Sequence, residues 1–280
     1  MSTRFAALLF FLPVVGSANQ IVVGNVQISI PSPHGFTPVT SQMAPLHEVL
    51  KTFVAPSNEE FISFISDNGV SAAMNGDIPD LGKRFAVQTA KSIVNRSISR
   101  TDFDELKKVI RTQNSDVMKR AQERMPGLME QLNKGLAKQF DMNLAFGVSQ
   151  MIPMPVHTET DRTLGYSTLV RYNRNDASGK PAPFVVLFTA TFVHVKGRVL
   201  FLYSYAGEND LDWSRQVSQD WASAVVAANS ADFQSSLNES LPSSVTGIKW
   251  GEVGAKAIAG AFIGLIVGLF VWIRRRGKAR

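Results

Sequence analysis

Residues 184–205 read FVVLFTATFVHVKGRVLFLYSY: twelve almost unbroken β-branched and aromatic residues, the pair Lys196-Gly197, then eight more of the same kind. A short run that is apolar on both faces suits a central strand. Two residues ending in glycine suit a tight hairpin turn. The chemistry changes at Gly207-Glu208-Asn209-Asp210. From there Trp213, Val217, Trp221 and Val225 recur every four residues, which predicts a helix capped by Asn209 or Asp210 and running to about Asn229.

Upstream, Leu144–Thr160 and Leu164–Tyr172 read as two more strands, with Pro153 and Pro155 marking an edge or a bulge. Before them lies a helical block. Thr101 is a candidate cap for a helix to about Thr112, and Ser115 or Asp116 opens a longer one to about Phe140. Pro126 is expected to kink or split that second helix. Nearer the start, Asn25–Pro31, Phe61–Ser66 and Arg84–Ile93 read as strands, and Ser41–Val54 as a short helix. One antiparallel sheet with helices packed on it accommodates this order, an α+β domain.

The two ends predict topology. Arg4, the apolar run Phe5–Val15 and the small residues Gly16-Ser17-Ala18 match a secretory signal peptide, residues 1–18, cleaved before Asn19. Its eleven apolar residues would span about 16 Å, too little to cross a bilayer. At the other end, Ala257–Ile273 holds 17 uncharged residues and is followed by five Lys/Arg in seven. Trp250 and Trp272 would sit about 33 Å apart along a helix, suited to two interfaces. The expected layout is a periplasmic domain over 19–234, a Ser-rich tether over 235–249, a transmembrane helix over 250–273 and a basic cytoplasmic tail over 274–280. Gly260, Gly264 and Gly268 recur every four residues, a candidate packing face for a homodimer of membrane helices.

The net charge of +6 and pI near 9.6 come from these ends. Arg4, Lys256 and the tail hold seven of the 29 basic groups, which leaves 22 between Asn19 and Gly251 against 22 acids. A neutral body argues against nucleic acid as a partner. Residues 83–138 nevertheless carry 13 basic and 6 acidic groups, a stretch able to face lipid headgroups or an acidic partner. The chain has no cysteine, which removes disulfides, thiolate metal sites and thiol nucleophiles.

The segment GRVLFLYSYAGENDLDWSRQVSQDWASAVVAAN (197–229) resembles the C-terminal part of PsbP-type α/β/α domains. With the tail IKWGEVGAKAIAGAFIGLIVGLFVWIRRR (248–276), the chain is similar to uncharacterised single-pass bacterial membrane proteins. The resemblance covers about the last hundred residues. It implies an α/β/α sandwich and a non-catalytic accessory role, and it transfers no functional residue.

Catalytic signatures are missing. Gly165-Tyr166-Ser167-Thr168-Leu169 lacks the closing glycine of a nucleophile elbow, and there is no phosphate loop, dinucleotide fingerprint or zinc helix. The local metal candidate is His157, Glu159 and Asp161, which an extended strand would place on one face about 7 Å apart. The methionines Met118, Met125, Met129, Met142, Met151 and Met154 raise a copper(I) site against ordinary core filling. The expected function is that of a membrane-anchored periplasmic binding or accessory protein of the bacterial envelope, without enzymatic activity or cofactor. Its expected partners are membrane lipid, a second copy, or an envelope protein. The alternative is a hydrolase or metal-dependent enzyme whose site assembles from distant residues.

Overall fold

The computed structural model describes residues 18–112, 114–140, 147–173, 184–230 and 247–278. The expected signal peptide, apart from Ala18, and most of the expected tether lie outside these residues. Strands β1 (Asn19–Val23) and β2 (Val26–Ile30) form a separate antiparallel hairpin. Then come β3 (Phe36–Pro38), α1 (Ala44–Thr52), β4 (Asn58–Ser66), a single 3-10 turn, α2 (Val70–Met74) and β5 (Arg84–Ala90). Helices α3 (Arg100–Thr112) and α4 (Asn114–Phe140) precede β6 (Gly147–Pro153), β7 (Thr158–Glu159) and β8 (Thr163–Asn173). Strands β9 (Phe184–Val195) and β10 (Arg198–Gly207), then α5 (Leu211–Ala228) and α6 (Trp250–Lys278), complete the order.

The α+β class is as expected. The main sheet runs β3-β4-β5-β10-β9-β8-β6, every pair antiparallel, with β7 beside β8. The hairpin 184–205 lies at its centre, and β10 bridges the early strands to the late ones. Lys196 (φ 47°) and Gly197 (φ 67°) both take positive φ, as a two-residue turn of this hand requires. The other expected strands are present, with a bulge between Val148 and Gln150 on β6.

Alternation along each strand gives the sheet two different faces. One carries Phe85, Val87, Leu200, Leu202 and Val193, and packs under α5 and the β1–β2 hairpin. The other carries Tyr203, Tyr205, Phe201, Phe188, Phe192 and Tyr172, and packs under α6, which is itself covered by α3 and α4. Several local expectations are corrected. Pro126 lies inside α4 without splitting it. Helix α3 is capped by Ser99 and not Thr101: Asp102 N–H donates to Ser99 Oγ (3.1 Å) and Ser99 N–H to Asp102 Oδ2 (3.0 Å). Helix α5 buries Ser214, Ser218, Trp221, Ala222 and Val225, with Trp213 and Val217 half-buried against the same core.

The largest correction concerns the last helix. Among the described residues no helix is long and apolar enough to cross a membrane. The part of α6 from Val253 to Ile266 is buried almost throughout, between the sheet and α3/α4. A helix apolar all round has two stable environments, lipid or a protein core covered on both sides, and here it is the core. Small residues permit this. A Cβ on Gly260 would collide with the Asn58 amide and lie 2.8 Å from Gln88 Oε1, and one on Gly264 would collide with the Tyr205 hydroxyl. These two glycines therefore face the sheet; the surroundings of Gly268 are outside the described set.

In a free helix, alanine in place of glycine stabilises by up to ~1 kcal/mol. In this seat it overpacks, so Gly260→Ala and Gly264→Ala are expected to destabilise by roughly 1–3 kcal/mol. Urea midpoints of the two variants check the sign, and a gain in stability would detach α6 from the sheet.

Candidate functional site

Two polar layers lie inside the fold, one on each sheet face. Neither belongs to a recognisable motif.

The α5 face holds a chain of hydroxyls. Register pairs Gly165 with Thr191 and Ser167 with Thr189 across β8 and β9, and Ser204 follows on β10. Ser167 Oγ lies 2.9 Å from Thr189 Oγ1, which lies 2.8 Å from Ser214 Oγ on α5; Ser214 Oγ is 3.2 Å from Ser204 Oγ. All four residues are fully buried. Each hydroxyl both donates and accepts, so the chain largely satisfies itself.

The neighbouring groups have no hydrogen-bond partner among the described residues. Both ring nitrogens of His157, Arg215 Nε, Thr191 Oγ1 and Ser218 Oγ are buried without a hydrogen-bond partner. His157 Nε2 and Thr191 Oγ1 stand 3.3 and 3.2 Å from where a Cβ on Gly165 would sit. Thr158 Cγ2 would be only 2.7 Å away, so the packing at 165 admits glycine alone. Burial, and secondarily the nearby Arg215 cation, hold the His157 pKa down at about 4. Its ring is therefore neutral at pH 7, with one donor and one acceptor. Arg215 itself reaches Met154 Sδ at 3.4 Å. Among the described residues no serine hydroxyl pairs with His157.

The expected metal set does not assemble. Strand β7 is only two residues long, and the chain turns at Asp161-Arg162, where Thr160 Oγ1 and Thr163 Oγ1 meet at 2.8 Å. Glu159 pairs with Arg111 (3.4 Å) and Lys107 (3.7 Å), and Asp161 pairs with Arg100 (2.5 Å). These carboxylates tie the start of β8 to α3. Among the described residues no cluster of three histidines or acids could hold a metal ion. The same pairs consume part of the positive charge of residues 83–138. Of the methionines, Met125, Met129 and Met151 are core residues. Trp221 is also core, its Nε1–H donating to Pro31 O at 2.8 Å.

The α6 face was not anticipated. Ser63 Oγ donates to Glu60 Oε1 (2.8 Å), Gln88 Nε2 donates to Glu60 Oε2 (2.9 Å), and Asn58 Nδ2 donates to Gln88 Oε1 (3.1 Å). Asn58 Nδ2 also reaches Lys256 O at 3.3 Å. Arg84 donates to Gly264 O, and its guanidinium lies 3.8 Å from the centre of the Tyr205 ring. Tyr203 and Tyr172 hydroxyls donate to Ala257 O (2.8 Å) and Phe262 O (3.3 Å). Burial raises the Glu60 pKa, opposed by its bonds to Gln88 and Ser63 and by Arg84. Burial likewise lowers the Arg84 pKa. The sequence signal lay in β5: Arg84, Ala86, Gln88 and Ala90 alternate polar with small, the pattern of a strand that a backbone approaches closely.

No protein-family model and no curated protein sequence matches this chain.

Two titrations should be visible. The folded His157 pKa lies below its unfolded value near 6.5, so the unfolded chain binds its proton first. Stability attributable to His157 is intact above pH 6.5 and lost as pH falls toward about 4. His157→Gln should flatten that loss in denaturation midpoints, and Arg215→Gln should move the imidazole NMR titration upward. Glu60 has the opposite sign. Its folded pKa is raised, so its contribution is full below pH 4.5 and declines as pH rises through the folded value. Glu60→Gln, which keeps an acceptor for Gln88, should remove that decline.

Proposed function

We propose that the chain is a non-enzymatic binding or accessory protein of the bacterial envelope, exported to the periplasm and held at the inner membrane by the far end of α6. One observation carries the membrane part of this reading. The helix runs on through its last twelve residues, 267–278, to Lys278. Over that extension the sequence supplies seven uncharged residues, Val267–Ile273, then Arg274, Arg275, Arg276 and Lys278. Seven residues of helix measure about 10 Å, the depth to which an interfacial helix enters a leaflet. Basic side chains just beyond contribute about 1 kcal/mol each near an anionic surface. Support for export comes from the signal-like residues 1–18 and the absence of cysteine. The accessory role rests on the resemblance to PsbP-type domains and on polar groups engaged in holding helices to the sheet.

A second reading keeps the helix as a full membrane span with a cytoplasmic tail. The uncharged run Ala257–Ile273 and its basic stop favour it. It requires α6 to leave the sheet, because Val253–Ile266, most of the run needed to cross ~30 Å, is buried against the sheet, α3 and α4.

Alkaline phosphatase fused after Arg280 separates the two. Under the leading reading the fusion is enzymatically active, and alkaline carbonate strips the protein from membranes. An inactive fusion together with carbonate resistance would establish the span. Recovery of the whole chain in the cytosol would overturn both. Replacing Arg274, Arg275 and Arg276 by Gln is expected to weaken co-sedimentation with phosphatidylglycerol vesicles at least about tenfold.

A further inference from the structure

A pocket of about 320 Å³ opens where α6 crosses β5, β9 and β10. Its walls are largely apolar, from Leu81, Phe184, Val186 and Leu265, with Arg84 and Tyr205 among them. The size falls at the lower end for sites that take small molecules. Arg84 is 2% exposed. A cation this buried ordinarily has a carboxylate against it. Among the described residues none lies within 4.0 Å: Arg84 has the Gly264 carbonyl and the face of the Tyr205 ring. Glu60 acts on it only at longer range, and burial raises the pKa of that carboxyl, which weakens it as a counter-ion.

We infer that this pocket binds an amphipathic carboxylate, with the apolar chain between Phe184, Val186 and Leu265 and the carboxylate on Arg84. The chemistry follows from the two kinds of wall. Apolar lining selects a hydrocarbon body. A guanidinium fork offers paired N–H donors whose geometry suits a planar carboxylate. The exposed rim residue Asp80, whose carboxylate accepts the Gly82 N–H at 3.0 Å, adds negative charge at the mouth. That disfavours a doubly charged head such as a phosphate monoester and leaves room for a single charge. The same carboxylate would supply the partner that Arg84 lacks. Leu265 is one wall, so this inference rests on the leading reading, in which α6 stays on the sheet.

Isothermal titration of the purified full-length protein tests it, with sodium decanoate below its micellar concentration as the probe. Decanol and decyltrimethylammonium, which share the chain and change the head, are the controls. Decanoate should bind saturably with one site, decanol at least tenfold more weakly, and the cation not measurably. Val186→Phe fills the pocket and should abolish binding while leaving the urea midpoint near that of the parent. Arg84→Met should bring decanoate and decanol to equal affinity. If that variant does not fold, the head-group series and Val186→Phe still decide. Absence of saturable decanoate binding, equal affinity for the cationic analogue, or unchanged binding by Val186→Phe would each overturn the inference.

Discussion

The seating of α6 on the sheet is the constraint from which the rest of the architecture follows. An apolar helix here covers a surface that is not apolar. The sheet presents the hydroxyls of Tyr172 and Tyr203, the Asn58 amide and the Arg84 guanidinium, and α6 has no polar side chain at the contact to answer them. Its backbone carbonyls do so instead, at Lys256, Ala257, Phe262 and Gly264. A helical carbonyl already accepts one amide bond and keeps a second lone pair for this use. The donors reach it only because Gly260 and Gly264 bring the backbone down onto β5 and β10. Glycine is costly in a helix interior, so its presence at this contact is a matter of clearance.

The opposite face solves a related problem differently. Helix α5 meets the sheet through hydroxyls in its first half, where Ser214 joins Thr189 and Ser204. In its second half Trp221 packs edge-on against Phe64 and Phe85, with ring centres 5.7 and 5.2 Å apart. Asn229 then closes the layer by clasping β2, accepting from Ser29 N–H (2.9 Å) and donating to Ser29 O (2.8 Å). The polar half of α5 lies over β8 and β9, and the apolar half lies near the β1–β2 hairpin. The unsatisfied groups of His157, Thr191, Arg215 and Ser218 belong to the polar half, where close packing and complete hydrogen bonding come into conflict.

Most of the sheet was legible because strand signals are local. Phe184–Val195 and Arg198–Tyr205 carry β-branched and aromatic residues around a two-residue turn, and no tertiary context was needed to read them. The failures share a cause in what lies opposite. Period placed Trp213 and Val217 of α5 against the core, where they are half-buried, and missed the fully buried Ser214 and Ser218. The sheet beneath offers Ser167, Thr189 and Thr191, so the helix turns Ser214 and Ser218 inward. The residues His157, Glu159 and Asp161 share a face only on a continuous strand, and the turn at Asp161-Arg162 divides them. Arg84 and Gln88 share one face of β5, which their spacing records, but Glu60 and Asn58 come from β4, so their convergence on Gln88 is a product of register.

The two environments open to α6 differ less in hydrophobic gain than in what they leave on the sheet. In lipid, the helix would lose nothing essential, since its backbone bonds are internal and its side chains are apolar. The sheet would lose much more. Tyr172, Tyr203 and Phe201 would become an exposed aromatic patch, and the donors of Asn58 and Arg84 would lose their carbonyl partners. Water could satisfy those donors, but the aromatic surface would then call for another cover. A helix that leaves this sheet must therefore be exchanged for something of similar shape, such as the corresponding helix of a second molecule. Whether α6 is core or anchor is thus settled at the sheet, by the presence of a competing cover, more than by the hydropathy of the helix.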